Sequence, residues 1–431
     1  MAKVRFTTDS GGAPDPERLV ARLDSHHRWA TERVKPAHLE LYHRVSRGVR
    51  VGRRPAEGSS HVRVGREEGV AARMQRRGER GVCFAAASGG GQLAMRRVID
   101  RASGALPERT PEDAEWMPRA GGSVYDHDPA EEFPDLPALE DWLERAWTAL
   151  VASRAVSGSI DGATLWVEVA ETVETWVTDR SLKASRSRVR AWALIQPSPQ
   201  RGKALPRPAF VAKRRWQGLP ESGWGEILGD RIASTAPAEP APARPTKLLF
   251  NPETSAKLVT ALVRTVHSRE RGLGSRVGPG WKLVDDPNDP DALFGCSFDD
   301  AVFRTRRRTL ADGRQLVGLL EGQGNYRRPS FRDPPAPHPT HIVVEADRAE
   351  PPAGGMLVSE SQIHPLGADW IIEVRGALLH EGRPVAPLRH GYLRIRPEDL
   401  VERCLAAVGG PRSSHRGVRT AALLFDDLPL G

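Results

Sequence analysis

The stretch KLLFNPETSAKLVTALVRTVHS, residues 247–268, joins a short apolar segment to a helical repeat. Asn251 is a favourable N-cap residue, and Pro252 suits the first position of a helix. Apolar residues then recur at the spacing of one helical face, namely Leu258, Val259, Leu262, Val263 and Val266. The stretch therefore predicts a buried strand followed directly by an amphipathic helix.

A segment rich in proline and alanine precedes this unit at residues 234–246. Repeated prolines remove backbone donors and favour extended chain, which is typical of a linker. We therefore predict an N-terminal α+β domain over residues 1–233 and a C-terminal β-rich domain over residues 247–431.

Hydrophobic periodicity predicts helices and strands before the linker and mainly strands after it. The N-terminal helices are predicted at 16–33, 92–102 and 137–153, and the strands at 69–76, 80–87, 165–176 and 189–195. C-terminal strands are predicted at 281–284, 301–310, 315–320, 341–345, 369–379 and 391–395. A late helix at 397–408 is expected to bury Leu400, Val401, Cys404 and Leu405. The fold class is α+β, with an N-terminal α/β domain and a C-terminal domain of mainly antiparallel strands.

Composition restricts the cellular setting of the chain. No apolar run approaches the roughly 18 residues that cross a bilayer, and the first residues lack the apolar core of a secretory signal. The three cysteines, Cys83, Cys296 and Cys404, have no CxxC spacing. A reduced, cytoplasmic protein without disulfides or a membrane partner is expected.

The net charge of +8 raises the question of a nucleic-acid partner. Basic clusters occur at 186–190, 213–215 and 304–308, but acidic runs lie between them and no nucleic-acid motif frames them. We interpret the clusters as solvated basic faces and expect no nucleic-acid partner. A basic, nucleic-acid-associated protein remains an alternative function.

The thirteen histidines give no zinc motif. None lies in HExxH or HExxxH, the spacings that place two ligands on one helical face. His338 and His341 lie in a proline-rich loop, and His380 precedes Glu381 in a turn between strands. His26 and His27 are expected on the polar side of the first helix.

Nucleophiles and paired carboxylates also give weak patterns. Cys296 has no histidine nearby in sequence, and its surroundings lack the second glycine of a nucleophile elbow. The pairs at 285–286 and 299–300 are adjacent on extended chain, so their side chains point apart and Asx turns are expected. A self-sufficient hydrolase with a centre assembled from Cys296, Asp299 or His341 remains an alternative.

Several ordered motifs nevertheless resemble the TldD/TldE (PmbA) peptidase family. They are VDDP at 284–287, FDDAV at 298–302, TLADG at 309–313, GNYRR at 324–328, RGALLHEG at 375–382, and the pair GVAAR at 69–73 and GVCFA at 81–85. Ala301 and Val302 replace the Glu-Gly that is usual in the family. The order and spacing of these fragments extend over roughly residues 40–431.

The resemblance implies a position for the family's zinc-binding HExxxH on the helix after the strand at 247–250. Thr260, Ala261 and Thr265 occupy the positions of the first histidine, the glutamate and the second histidine. The third ligand, a late cysteine, also has no clear match, since Ala407 falls near its place and Cys404 is expected one helical turn away. The chain therefore resembles the TldE-like subunit, with no metal or catalytic residue of its own.

The same resemblance implies a heterodimer with a zinc-bearing TldD-like homologue, in which that partner supplies the zinc and cleaves the peptide. The substrate would be a peptide or a peptide–carrier conjugate, in peptide or specialised-metabolite maturation. Because both subunits share one fold, a homodimer is an option when the partner is missing. Residues that carry the family pattern are expected to line the cavity or the interface, namely Asp285, Asp286, Asp299, Asn325 and Arg327.

Overall fold

The structure is a computed structural model of the chain. It describes residues 15–53, 60–79, 81–109, 122–127, 133–153, 163–179, 182–196, 208–233, 247–266, 281–318, 320, 326–328, 330–413, 417–426 and 428. The predicted linker at 234–246 and Asn325 lie outside these residues.

The described residues up to Ala233 form four α-helices and eight strands. The helices are α1 (Pro16–Val34), α2 (Gln92–Gly104), α3 (Leu136–Val151) and α4 (Trp224–Ala233). The strands are β1 (His38–Arg53), β2 (Ser60–Gln75), β3 (Gly81–Ser88), β4 (Glu108–Arg109), β5 (Gly122–Asp126), β6 (Thr164–Thr178), β7 (Leu182–Gln196) and β8 (Ala209–Lys213).

The eight strands form one sheet in the order β4-β3-β2-β1-β6-β7-β5, with β8 paired to β7. Its pairings are antiparallel except for β5 with β7. The helices α1, α2 and α3 cover one face, where Leu39 and Leu41 of β1 are fully buried. On the opposite face Tyr42 and Trp176 pack against Phe298, which belongs to the second half of the chain.

The described residues from Lys247 onward form two helices and thirteen strands. The helices are α5 (Pro252–Val266) and α6 (Pro397–Glu402). The strands are β9 (Lys247–Phe250), β10 (Lys282–Asp285), β11 (Arg308–Asp312), β12 (Gln315–Leu316), β13 (Tyr326–Arg327), β14 (Ala336–Pro337), β15 (Ile342–Glu345), β16 (Arg348–Ala349), β17 (Gly354–Leu366), β18 (Asp369–His380), β19 (Arg383–Ile395), β20 (Cys404–Ser413) and β21 (Val418–Asp426).

Eleven of these strands form the second sheet, whose main path is β12-β11-β10-β15-β21-β9-β17-β18-β19. Helix α5 packs on the middle of this sheet, against β21, β17 and β9. Its apolar stripe lies in the same core as Met356, Val358, Leu423 and Phe425. The mixed α+β class is confirmed.

The predicted strand–helix unit is present with the expected start. Asn251 caps α5, since its side-chain Oδ1 accepts a hydrogen bond from the backbone N–H of Thr254 at 2.9 Å. The predicted N-terminal hairpin is also present, with Gly69 opposite Ser88 and Met74 opposite Cys83. Both elements rest on short-range sequence signals.

The predicted late helix at 397–408 is wrong beyond Glu402. Helix α6 ends there, and the chain continues as β20, which pairs with β21 and with β16. Cys404 is buried in this strand, whereas Leu405 is 52% exposed. Strand pairing with distant segments overrides an apolar spacing that also suited a helix. Cys404 is therefore not one helical turn from Ala407.

Three further sequence predictions need correction. Residues 301–310 were expected as one strand, but the chain turns at 299–303 and β11 begins at Arg308. The strand expected at 315–320 is confined to β12. His26 and His27 are 8% and 7% exposed, so they lie on the buried side of α1 rather than its polar side. Burial lowers the pKa of His27.

In the part of the chain that the structure describes, no helix is long and apolar enough to span a membrane. The three cysteines are free thiols, and all are buried.

Candidate functional site

Helix α5 carries Thr260, Ala261 and Thr265, the positions at which the family resemblance places a zinc motif. All three side chains are half-buried, outside the buried stripe of the helix. The hydroxyl of Thr260 donates to the carbonyl of Ala256 at 2.7 Å, and that of Thr265 donates to the carbonyl of Ala261 at 3.0 Å. Each hydroxyl proton is therefore hydrogen-bonded to a backbone carbonyl of α5 itself.

This set of side chains does not fit a zinc ion. Zinc in proteins takes imidazole, thiolate or carboxylate ligands, and neutral threonine hydroxyls and an alanine methyl provide none of these. Across the described ranges, no three His, Cys, Asp or Glu side chains are arranged to hold a metal ion.

Asp285 lies at the end of β10 and is 1% exposed. Its Oδ1 accepts hydrogen bonds from the backbone N–H groups of Thr340 and His341 at 2.9 and 2.8 Å. Burial raises the pKa of Asp285 to about 6. The carboxyl fixes the chain that enters β15. Its neighbour Asp286 forms an Asx turn with the N–H of Asn288 at 3.1 Å.

Asp299 organises the second carboxylate pair in the same manner. Its Oδ1 accepts from the N–H groups of Ala301 and Phe303, both at 2.9 Å. Its Oδ2 accepts from the N–H of Tyr326 at 3.0 Å, which ties the turn to β13. Burial raises the pKa of Asp299. The predicted Asx turns are therefore present at Asp286 and Asp299, and both pairs hold loops in place.

Asp300 has a role that the sequence did not indicate, because it joins the two sheets. Its Oδ1 accepts from Arg186 of β7 at 2.5 Å, and its Oδ2 accepts from the backbone N–H of Arg328. Arg186 also donates to Glu174 of β6 at 2.6 Å and to the carbonyl of Phe298 at 3.1 Å. These groups are buried, and the Arg186 cation is the main favourable influence that lowers the pKa of Glu174 to about 2, against the cost of burial.

The basic cluster at 186–190 is not a solvated face, contrary to the sequence interpretation. Arg186, Arg188 and Arg190 alternate along β7 and point to the second half of the chain. Arg188 is 2% exposed, donates to the carbonyl of Gly295 at 2.9 Å and forms an ion pair with Asp126. Arg190 donates to the carbonyl of Leu293 at 3.2 Å. The three residues, here the β7 arginines, anchor the loop at 293–300 to the first sheet.

A second inter-sheet ion pair lies at the other end of this face. Glu40 of β1 accepts from Arg73 of β2 at 2.5 Å and pairs with Arg328 from the second half. The Arg328 guanidinium also lies 4.7 Å from the ring centre of Tyr42. Because these charges are buried and paired with each other, they fix the way in which the two sheets join.

Arg327 lies between this junction and α5. It donates to the carbonyl of Tyr326 at 2.9 Å and to the hydroxyl of Thr340. Burial lowers the pKa of His338, and the cations of Arg264 on α5 and of Arg327 lower it further. Helix α5 and the junction are therefore neighbours in space.

The described residues do not assemble a nucleophilic centre from Cys296, Asp299 and His341. Cys296 is 7% exposed, and no described histidine accepts its thiol proton. The Oδ1 of Asp299 is held by the backbone N–H groups of Ala301 and Phe303. His341 is fully buried, and neither ring nitrogen has a hydrogen-bond partner among the described residues. A nucleophile needs a base within hydrogen-bond reach, and this set offers none.

Comparison with known proteins relates the whole fold to a small set of solved structures. No model of a known protein family matches the sequence, and no curated protein matches it. The structure of TldE from Thermococcus kodakarensis matches with a TM-score of 0.78 and 14% identity, covering 95% of this chain and 99% of the other. A proposed modulator of DNA gyrase from Bacteroides thetaiotaomicron matches at a TM-score of 0.73 and 15% identity, covering 95% and 98%. A further proposed gyrase modulator, from Thermotoga maritima, matches at 0.70 and 12%, covering 96% and 100%. At these identities the likeness shows the fold, and it extends over nearly the full chain.

Proposed function

From the fold that this chain shares with TldE, we propose that it is the zinc-free subunit of a two-subunit peptidase. A zinc-bearing homologue of the same fold supplies the metal and cleaves the peptide bond. This chain closes the chamber, limits access to peptides or peptide–carrier conjugates, and contributes to the choice of substrate. It acts in the cytoplasm, which suits three buried free thiols.

The observation that carries the proposal is the chemistry of α5. The helix follows its strand directly, caps correctly and packs on the sheet centre, yet presents Thr260, Ala261 and Thr265. A hydroxyl of neutral threonine neither lowers the pKa of bound water nor replaces an imidazole, and alanine has no base. The scaffold is therefore retained without the groups that cleavage would need.

The charge distribution supports a peptide partner over nucleic acid. Arg186 and Arg188 belong to the basic clusters that raised the question of a nucleic-acid partner, and both are buried and form ion pairs within this chain. Among the residues that carry the family pattern, Asp286 and Arg327 remain half-buried rather than fully enclosed. We expect these two to face the chamber or the partner.

The proposal is tested with the purified chain alone and mixed with a homologue that contains HExxxH. We expect no stoichiometric zinc in the isolated chain by elemental analysis after mild chelation. We also expect no cleavage of an unstructured peptide by the chain alone, and cleavage once the homologue is added. Light scattering should show one copy of each chain in the complex.

The matched control is the homologue with its first motif histidine replaced by alanine, which should assemble but not cleave. About one zinc per isolated chain together with cleavage would overturn the proposal. A fall in rate for Cys296→Ala within an intact complex would favour the self-sufficient hydrolase. A chain that stays monomeric at micromolar concentration in both experiments would contradict the two-subunit assembly.

A further inference from the structure

His341, at the entry to β15, is a buried side chain that the proposed function leaves unused. Its ring is fully buried, and neither ring nitrogen has a hydrogen-bond partner among the described residues. A neutral imidazole carries one donor and one acceptor, and burying both without partners is unfavourable. The backbone of His341 is bonded, since its N–H donates to Asp285 and its carbonyl accepts from the N–H of Asp286, both at 2.8 Å. Backbone bonds and packing therefore hold the ring in place.

A carboxylate faces this ring from the loop at 286–292. Oδ1 of Asp289 lies 3.9 Å from Nε2 of His341, which is too long for a hydrogen bond. The same oxygen accepts the backbone N–H of Asp291 at 2.8 Å, and Oδ2 pairs with Arg419 of β21 at 2.9 Å. The loop is thus attached to β21 by contacts in which the ring takes no part.

The surroundings of His341 make the ring harder to protonate. Burial is the main reason why the pKa of His341 is lowered, and the cation of Arg419 adds to the effect. The carboxylates of Asp289, Asp286 and Asp291 oppose this shift without cancelling it. The closed fold therefore binds a proton at His341 less tightly than an imidazole in water does.

The distance from the ring to solvent is short. The side chains of His341 and Asp289 are 0% and 4% exposed, but those of Arg419 and Asp291, one contact further out, are 29% and 50% exposed. Strand β15 pairs with β10 and β21, and the loop at 286–292 belongs to neither of these ladders. A movement of the loop can therefore expose the ring while the sheet stays paired.

We propose that protonation of His341 opens the loop at 286–292, so that acid loosens this end of the second sheet. Opening gives the imidazolium water in place of a buried site where its nitrogens have no bonded partner. Because the closed state binds the proton less tightly, its advantage is complete above the ordinary pKa of a histidine, about 6.5, and is lost as the pH falls below that value. The inference concerns this chain alone and goes beyond the proposed function.

The loop leads directly into the contacts between the two sheets. Just after it, the carbonyls of Leu293 and Gly295 accept hydrogen bonds from Arg190 and Arg188 of β7. Asp286, at the start of the loop, is one of the two residues that we expect to face the chamber or the partner. Opening in acid would therefore change a surface that matters for assembly.

Hydrogen–deuterium exchange of the full chain, read by mass spectrometry, measures the opening. Exchange of peptides from residues 286–296 is compared at pH 7.5 and pH 5.5, after correction for the intrinsic exchange rate at each pH. The measured quantity is the population of the open state in the parent divided by that in a variant without His341. This ratio should rise about five- to tenfold from pH 7.5 to pH 5.5, because the open state binds the extra proton.

His341→Leu removes the titrating group together with two nitrogens that lack partners, so it should fold as the parent does at pH 7.5. His341→Gln, which is polar but cannot ionise, is the second variant and should give the same ratio. The raised pKa of Asp285 favours the closed loop in acid, but Asp285 is present in every protein compared and cancels in the ratio. The matched control His364→Leu removes an exposed histidine of β17 and should keep the response of the parent.

A ratio that changes by less than twofold between the two pH values would overturn the inference. Stronger protection of the parent than of the variants at pH 5.5 would also overturn it, because the imidazolium would then have paired with Asp289 and tightened the loop. The measurement needs no partner, peptide or zinc. Its failure therefore leaves the zinc-free subunit proposal standing, whereas zinc and cleavage in the isolated chain would overturn that proposal and not this one.

Discussion

Asp285 illustrates how a single buried acid can organise a loop at a cost that depends on pH. Its carboxyl receives two backbone N–H groups, yet no cation pairs with it in the described residues. Burial outweighs these bonds and raises its pKa to about 6. Glu174 shows the opposite balance, since the cations of Arg186 and Arg44 and the hydrogen bonds from Tyr42 and Arg186 together outweigh its burial, and its pKa falls to about 2.

The shifted pKa of Asp285 predicts a pH-dependent stability. The folded chain binds this proton more tightly than the unfolded chain does, because the ordinary pKa is about 4. The protonated Asp285 carboxyl therefore contributes to the unfolding free energy in full below pH 4, and this contribution is lost as the pH rises through about 6. Asp285→Asn keeps an acceptor oxygen but cannot ionise, so its unfolding free energy relative to the parent should rise by about 2–3 kcal/mol between pH 4 and pH 7.

Urea unfolding at a series of pH values measures this difference. Glu174 does not cause this difference. Its lowered pKa stabilises the fold at pH values above the ordinary pKa of a glutamate, and this effect is the same in the parent and in the variant. The control Asn288→Ser, in the turn that follows Asp285, changes no charge. Its unfolding free energy should differ from that of the parent by an amount that is independent of pH. A flat profile for Asp285→Asn would show that Asp285 is ionised in the fold at neutral pH without penalty.

The segment after α6 shows how an element's identity depends on distant partners. Leu400, Val401, Cys404 and Leu405 have the spacing of a helical face, but β20 begins at Cys404 and pairs with β21. In a strand, successive side chains point to opposite faces. Leu405 is accordingly 52% exposed, whereas Cys404 and Ala406 are each 9% exposed.

Substitutions on the two sides of this transition should therefore differ in effect. Leu405→Gln is expected to change the unfolding free energy by less than about 0.5 kcal/mol, as at other exposed sites. Leu400→Ala, which empties a buried position of α6, should cost about 2–5 kcal/mol. Denaturant unfolding of both variants makes the comparison. A loss at Leu405 as large as that at Leu400 would indicate a continuous helix.

Elements with strong local signals could be predicted from sequence, and elements made by distant pairing could not. Asn251 and Pro252 mark the start of α5, and regular alternation marks β6 and β7. The short strands β13, β14 and β16 carry two residues each, too few for any periodicity. The β7 arginines had a detectable signal, since Arg186, Arg188 and Arg190 recur at every second position of an apolar strand. Two of their carboxylate partners, Asp126 and Asp300, lie 62 and 114 residues away, which no local pattern reveals.

At the scale of the molecule, buried charge joins two sheets that each have their own apolar core. The helix-covered core of the first sheet and the α5 core of the second are separate clusters. Between them lie Phe298, Val302 and Phe331 with the ion pairs of Arg186 and Arg328. A buried pair is costly to break from one side, because the remaining charge has no solvent.

Arg186→Met should therefore destabilise the whole chain rather than loosen one loop. It leaves Glu174 and Asp300 buried without their shared cation, and we expect a loss of about 3–5 kcal/mol in the unfolding free energy. Urea unfolding followed by tryptophan fluorescence measures the loss. Arg97→Met, at an exposed position, should change little. A loss below 1 kcal/mol for Arg186→Met would show that water or a rearranged neighbour replaces the guanidinium.

Strand β21 has a consequence for the order in which the molecule can form during translation. It is the last of the described strands to leave the ribosome, yet it borders β9, β15 and β20 inside the second sheet. Strands β1 to β8 can pair while synthesis continues, since none needs a later strand. The nascent second half must wait with β9 unpaired on one edge, so the apolar residues of β9 and α5 that pack against β21 stay exposed until Val418–Asp426 arrives. The completed α5 surface is therefore a late product of synthesis, and any assembly that depends on it follows release of the strand.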